Sequence, residues 1–215
     1  MRPKLVFCGP TLPPNDRPAD AGLVDVAFHV DMTQQRRGFE SEADLNAVRQ
    51  DYIERARGLP IAVIFNTTVT SENFDQIPDV VAFFVRNSDV VRLASFQLQA
   101  DTGRGTLGSR AETMTIKSMQ QQIERGAGTP ISFDTAHIGH ARCNRYAMTF
   151  VTNGKAYDVL DDVELFRAVL EGTVQRNFDR RSKANAVISF LIGLLAEPHL
   201  WPSVVAWTAR KLWRS

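Results

Sequence analysis

Three clusters of polar residues, each at the end of an apolar run, carry the side chains best suited to bind a ligand. The apolar runs are 22–30, 59–65 and 89–96. The clusters contain His29, Asp31, Asn66, Thr67, Thr68, Gln97, Gln99, Asp101 and Arg104. An amide-rich set with an arginine and a carboxylate suits a nucleoside-like or amino-acid-like ligand. The alternative is that these residues only satisfy the hydrogen bonds of loop amides.

A second group with metal-ligand chemistry lies further along the chain. His137, His140 and Cys143 form an H-x-x-H-x-x-C run. These three side chains can hold one metal ion if the segment curls, but a closed site needs a fourth ligand. The run therefore leaves metal binding and a metal-free loop as alternatives.

Several common chemistries are excluded by what the sequence contains. Its two cysteines, Cys8 and Cys143, cannot form an all-thiolate zinc site or supply three thiolates to an iron–sulfur cluster from this chain alone. The glycine pairs in 103–105 and 126–128 do not have the spacing of a phosphate-binding loop. Nucleotide hydrolysis therefore has no support.

The polar clusters are positioned by a repeated strand–helix pattern between residues 22 and 128. Each apolar run predicts a buried strand, and helices are predicted over 45–58, from Pro78 onward, and over 115–126. We expect the second strand to close at 66–68 and the first helix to have about four turns. Three such units predict an α/β fold with a parallel sheet and right-handed crossovers. The chain is too short for eight units, so we expect a partial (β/α) barrel or an open parallel sheet.

The remaining segments extend this core. A strand at 5–8 and a Pro-rich connector precede it, and Asn153-Gly154 predicts a type I′ hairpin between strands in 145–152 and 155–160, followed by a helix from residue 163. We therefore divide the chain into four parts. They are an N-terminal strand and connector (1–18), the partial α/β barrel (19–130), a hairpin and helix extension (131–172) and a basic helical segment (173–215).

The last segment differs from the rest in charge. Residues 173–215 carry seven basic and two acidic residues, although the whole chain has a net charge of only +1, and all three tryptophans lie within 201–213. The runs 184–196 and 198–209 are uncharged. They predict either an interfacial membrane-binding hairpin or a helical pair that closes the open end of the sheet, with tryptophan in the core. We favour the second, because an open half-barrel has much apolar surface to cover.

The chain shows neither a secretory signal nor an apolar run of about 18 residues. We expect a cytoplasmic protein with reduced thiols, peripheral on the inner membrane face if residues 184–215 contact lipid. We expect no nucleic-acid partner.

Four segments resemble the later part of radical S-adenosylmethionine (radical SAM) proteins, most of all the branch with pterin methyltransferases and tetraether lipid synthases. These segments are AGLVDVAFHVDM (21–32), IFNTTV (64–69), SFQLQADTGRG (95–105) and IGHARCNRY (138–146). The resemblance implies part of a (β/α)6 barrel that binds SAM across the carboxyl ends of its strands.

The resemblance also implies roles for single residues. Asp31 would approach the ribose of SAM, and Asn66 its amino-acid or adenine side. His140 and Cys143 match a His-Pro-Asp-Cys-like motif in which the cysteine serves an auxiliary cluster, although Ala141 and Arg142 replace its central residues. The remaining candidates for cofactor binding at the strand ends are His29, Gln97, Gln99 and Arg104.

One departure from the family is larger than these matches. Radical SAM enzymes bind a [4Fe–4S] cluster through a Cys-x-x-x-Cys-x-x-Cys loop, which this sequence lacks. Without the cluster there is no electron source to cleave SAM. We therefore expect a fragment, a truncated gene product or a remnant of the fold, inactive alone, with an unknown apolar or lipid substrate. An upstream segment or a partner chain would have to supply the cluster. The alternative function is a non-catalytic module that contacts a membrane or a protein through 184–215.

Overall fold

The protein is an α/β protein with a three-stranded parallel sheet, a separate β-hairpin and helices. The computed structural model describes residues 23–99, 114–133, 140, 144–173, 175–176 and 183–213. The chain divides into two compact units, Met1–Thr129 with Val151–Lys155, and Pro130–Phe150 with Ala156–Ser215. The expected strand at 5–8 and the Pro-rich connector lie outside the described residues.

The first unit alternates strands and helices, as the hydrophobic pattern predicts. The three strands are paired side by side in the order β1-β2-β3, and both pairings are parallel. In chain order the elements are β1 (Asp25–His29), α1 (Asn46–Ala56), β2 (Ala62–Val69), α2 (Ile77–Arg86), β3 (Val91–Leu98) and α3 (Ile116–Ala127). The predicted α/β class with a parallel sheet is confirmed.

One face of the sheet forms the core of this unit. In β1 and β2 every second side chain is buried, because successive strand residues point to opposite faces. Phe28 of β1 stacks on Tyr52 of α1 with ring centroids 4.2 Å apart, and Phe65 of β2 stacks on Phe84 of α2 at 5.3 Å. Helices α1 and α2 therefore pack against the buried face through aromatic side chains.

Strand β2 is longer than the sequence pattern predicts. We expected it to close at residues 66–68, but it continues to Val69 and pairs Thr67 with Phe96 and Thr68 with Gln97. Threonine is β-branched and fits the pleated surface of a sheet. The expectation that these threonines form a loop is therefore wrong.

Local signals set the ends of the first helix. The Ser41 hydroxyl accepts from the amide of Asp44, and the Asp44 carboxylate accepts from the amide of Ser41. Helix α1 begins shortly afterwards at Asn46, and Gly58 takes a φ of +84° just after its end. It has 11 residues, about three turns rather than the expected four.

A β-hairpin and three helices follow the first sheet and helix α3 in the described part of the chain. Asn153 and Gly154 have φ of 51° and 74°, which confirms the predicted type I′ turn. Phe150 and Tyr157 stack across the hairpin at 4.9 Å. The elements are β4 (Thr149–Thr152), β5 (Lys155–Asp158), α4 (Val163–Thr173), α5 (Lys183–Leu195) and α6 (Trp201–Trp213).

Helix α6 is fastened to the rest of the second unit at one side. The indole nitrogen of Trp207 donates to Asp161 Oδ1 over 2.9 Å, and Lys211 Nζ lies 2.7 Å from Asp161 Oδ2. The expectation that the tryptophans fill a core is wrong for Trp201 and Trp213, which are exposed. Trp207 alone among the three is half-buried.

No single helix in the described part of the chain is long and apolar enough to cross a bilayer. The segments Val187–Leu195 and Pro198–Lys211 reach the required length and hydropathy only together, with a bend of 103° between them.

Candidate functional site

A row of polar side chains crosses the face of the sheet opposite to the core. The strand register places His29 beside Asn66, and Asn66 beside Ser95. One step further toward the carboxyl ends, Thr68 lies beside Gln97. Gln97 is exposed, and the other four residues, His29, Asn66, Thr68 and Ser95, are half-buried. The register thus brings together three predicted site residues, His29, Asn66 and Gln97, and adds Ser95, which the sequence pattern did not single out.

His29 is the most structured member of this row. Its Nε2 donates to Asp31 Oδ2 and lies 3.0 Å from the hydroxyl oxygen of Thr68. The imidazole side chain is 39% exposed, whereas the Asp31 side chain is fully buried. The histidine therefore combines an accessible ring with a fixed orientation.

Asp31 is saturated by protein donors. Its Oδ1 accepts from the amide and hydroxyl of Thr33, and its Oδ2 accepts from the amide of Thr68 over 2.7 Å as well as from His29. Burial alone raises the pKa of this carboxyl. The hydrogen bonds from Thr33 and Thr68 and the proximity of His29 outweigh it, so the pKa of Asp31 lies below its ordinary value.

This arrangement defines what His29 can do. A carboxylate only accepts hydrogen bonds, so the proton of the neutral ring is held on Nε2 and Nδ1 is the acceptor. His29 can thus accept a hydrogen bond at Nδ1 from a ligand on the half-exposed face.

A buried ion pair supports the loop that carries Asp31. Arg49 of α1 and Glu42 are both fully buried and in direct contact. Arg49 also donates to the main-chain oxygens of Val30, over 2.8 Å, and of Glu42, over 3.0 Å. Burial lowers the pKa of Arg49, and the charge and hydrogen bond of Glu42 oppose that shift. The pair therefore fixes the chain directly before Asp31.

The same network reaches the loop after β2. Glu42 Oε2 accepts from the side chain of Asn73 over 2.8 Å and from the amide of Met32 over 3.2 Å. Asn73 in turn donates to the main-chain oxygen of Thr68 over 2.9 Å. The two loops that flank His29 are thus joined through one carboxylate and one amide.

Sequence reasoning missed this network, although one signal was present. Arg49 stands on the apolar face of α1, at helical spacing from Leu45, Tyr52, Ile53 and Ala56. An arginine is almost never buried without a partner. Its position among core residues could have pointed to a buried acid nearby.

Two other predicted site residues, Thr67 and Gln99, do not join the row. Thr67 is buried on the core side of β2. Gln99 is exposed beyond the end of β3, and its amide donates to the main-chain oxygen of Val69 over 2.9 Å. Asp101 and Arg104 lie outside the described residues.

Of the three proposed metal ligands, the structure describes only His140, which is exposed. His137 and Cys143 lie outside the described residues. No group of three or more His, Cys, Asp or Glu side chains that could hold a metal ion occurs among the residues that the structure describes. With two cysteines in the whole sequence, the residues of this chain do not fit a [4Fe–4S] cluster.

Comparison with protein-family models, with curated proteins and with solved structures found no match for this chain.

Proposed function

We propose that the half-exposed face of the β1–β3 sheet binds S-adenosylmethionine, and that this chain is the SAM-binding part of a radical SAM-type protein. The observation that carries the proposal is the row His29–Asn66–Ser95, held in one register across three parallel strands. Ligands of parallel α/β proteins bind near the carboxyl ends of the strands. Three of the four family-like segments, 21–32, 64–69 and 95–105, include residues of β1, β2 and β3 in that order.

The proposed architecture is a partial (β/α) barrel with this row on its inner surface. In such a barrel the helices pack on the outside of the parallel strands. Residues of α1 and α2 form one core with the strands, and the opposite face of the strands carries the polar row. This one-sided packing favours a barrel segment over a doubly wound sheet, in which helices cover both faces.

The chemistry of the row suits the adenosine part of SAM. Amide, hydroxyl and imidazole groups complement the ribose hydroxyls and the donor and acceptor edge of adenine. Because Asp31 is saturated by protein donors, we assign direct contact with the ligand to His29 and Asn66. Asp31 is then a positioning residue, which orients the ring of His29 and the amide of Thr68.

Radical chemistry would need a reduced [4Fe–4S] cluster, which supplies the electron that cleaves SAM. The residues of this chain do not fit the cluster. This chain would therefore bind the ligand, and another polypeptide segment would supply the cluster.

Isothermal titration calorimetry of the full chain with SAM, S-adenosylhomocysteine and adenosine tests the proposal. We expect binding of SAM that weakens by about tenfold in His29→Ala and in Asn66→Ala, as for one or two lost hydrogen bonds. The matched control is Gln121→Ala on the exposed side of α3, which should bind like the unmodified chain. Absence of binding by the folded, unmodified chain would overturn the proposal. Equal binding by all the variants would place the ligand elsewhere.

A further inference from the structure

One side of helix α5 is apolar and exposed from Val187 to Leu195. Five of its large exposed side chains lie at i, i+1, i+4, i+5 and i+8, which is the spacing of one helix face. They are Val187, Ile188, Leu191, Ile192 and Leu195, each between 51% and 59% exposed, and Phe190, outside this stripe, is 36% exposed. Gly193, on the opposite side of the helix, and Leu194, at the edge of the stripe, are buried. The usual pattern of a surface helix, with polar side chains outward, is thus reversed along this stripe.

Helix α6 has the same reversed pattern. Its exposed apolar stripe contains Trp201, Val205, Ala209 and Trp213, spaced at i, i+4, i+8 and i+12. Val205 is 66% exposed and Trp213 is 93% exposed. The side of α6 that contacts Asp161 carries Trp207 and Lys211 instead. The apolar stripe therefore lies on a different side of the helix from these contacts.

We propose that α5 and α6 lie in the interfacial layer of an anionic lipid bilayer, with the exposed apolar stripes immersed. Each helix has 13 residues and is about 20 Å long, which is too short to cross a hydrocarbon core of about 30 Å. A helix of this kind binds parallel to the membrane surface with its apolar face in the acyl boundary.

Charge and residue type favour a lipid surface over a protein partner. Trp201 and Trp213 mark the two ends of the α6 stripe, and tryptophan prefers the membrane interface. Between Lys183 and Arg210 the sequence carries one charged residue, Glu197. The apolar segment is thus nearly free of charges that would oppose insertion.

The flanks of this segment supply attraction to anionic lipid. Arg210 and Lys211 are paired with Asp162 and Asp161. The segment 173–215 keeps five further basic residues against two acidic ones. Each basic residue near an anionic membrane surface contributes about 1 kcal/mol of favourable electrostatic free energy to binding. Binding should therefore need anionic lipid as well as the apolar stripes.

Vesicle flotation of the full chain tests the proposal. We compare vesicles of phosphatidylcholine alone with vesicles that contain about 30% phosphatidylglycerol, the anionic component. The test variant is Ile192→Glu with Val205→Glu, which puts one charge in each stripe. Both side chains are exposed, so the fold should be kept, and the urea midpoint checks this. The matched control is Gln121→Glu on the exposed side of α3.

We expect flotation with the anionic vesicles, a blue shift of tryptophan fluorescence, and at least about a tenfold loss of binding in the double variant alone. Failure of the unmodified chain to float with anionic vesicles would overturn the proposal. Equal flotation of the double variant would overturn immersion of the stripes. A dimer that the double variant dissociates, without flotation, would assign the apolar faces to a second copy of the chain instead. None of these outcomes depends on SAM binding.

Discussion

The guanidinium of Arg49 donates to the main-chain oxygen of Val30 over 2.8 Å, and Val30 directly precedes Asp31. One side chain of α1 thereby holds the end of β1. Because Arg49 is also paired with buried Glu42, the position of Asp31, and through it of His29, depends on an ion pair that is itself fully buried.

Removal of Glu42 should strongly destabilise the protein. Glu42→Ala leaves a buried guanidinium without its counter-charge, a change that typically costs about 3–5 kcal/mol. Urea unfolding followed by circular dichroism measures the loss. The matched control is Glu54→Ala on the exposed side of α1, where the ion pair with Arg57 lies at the surface and should contribute little. Equal effects of the two substitutions would contradict the role of the buried pair.

Acid should lower the stability of the folded protein, because it protonates the Asp31 carboxylate. Because folding lowers the pKa of this carboxyl, its ionised form stabilises the folded state above the unfolded pKa of about 3.9. That stabilisation is lost as the pH falls through the pKa of Asp31 in the folded protein, which is lower still. Asp31→Asn should therefore be less stable near neutral pH and lose part of the acid dependence.

Urea midpoints of the unmodified chain and of Asp31→Asn, compared between about pH 7 and pH 3, check this expectation. The exposed carboxyl of Asp51 on α1 provides the control, since its ion pair with Arg55 lies at the surface and Asp51→Asn should change the stability little. Parallel pH profiles for the unmodified chain and Asp31→Asn would contradict the expected linkage.

The features that could be predicted from the sequence are those that contacts between neighbouring residues determine. The type I′ turn at Asn153-Gly154 and the helix start near Pro78 are set by neighbouring residues, and both occur as expected. The end of β2 depends instead on pairing with β3, which holds Thr67 and Thr68 in the sheet. Short polar runs after an apolar segment are therefore poor evidence for a strand end when an adjacent strand is longer.

The candidate site was predicted only in outline for the same reason. His29 and Asn66 are 37 residues apart in the sequence, and only the register of the two strands places them side by side. The saturation of Asp31 by Thr33 and Thr68 depends on two loops joined through Glu42 and Asn73. Sequence order could place these groups at one end of the sheet, but it could not show that protein donors already saturate the Asp31 carboxylate.

A methyl group at Gly126 should destabilise the contact between α2 and α3. A Cβ at this position would lie 2.4 Å from the main-chain oxygen of Pro78 and 2.6 Å from Cβ of Val81. Alanine favours a helix over glycine by up to about 1 kcal/mol, but overpacking against a backbone costs about 1–3 kcal/mol. Gly126→Ala should thus lower the urea midpoint.

Gln121→Ala on the same helix provides the comparison, because this side chain is exposed and its replacement should be neutral or slightly stabilising. A stabilising effect of Gly126→Ala would show that α2 and α3 are further apart than the close approach at Pro78 requires.

Local opening of helix α6 should become more frequent when Asp161 loses its charge. Lys211 and Trp207 both donate to this carboxylate, and Arg210 adds a favourable charge. Burial raises the pKa of Asp161, but these groups outweigh it and keep the pKa below its ordinary value. Asp161→Asn should therefore increase amide exchange in α6 by about two- to tenfold, as for the loss of one net hydrogen bond.

Hydrogen–deuterium exchange resolved by peptide measures this change, with Glu164→Gln on α4 as the control for removal of one nearby negative charge. The effect of Asp161→Asn should be confined to α6 and the adjoining start of α4, because the substitution removes a contact between these two segments. Uniformly faster exchange across the second unit would instead mean that Asp161 supports the whole unit. The pairing with Lys211 would then stabilise its fold rather than only hold one helix in place.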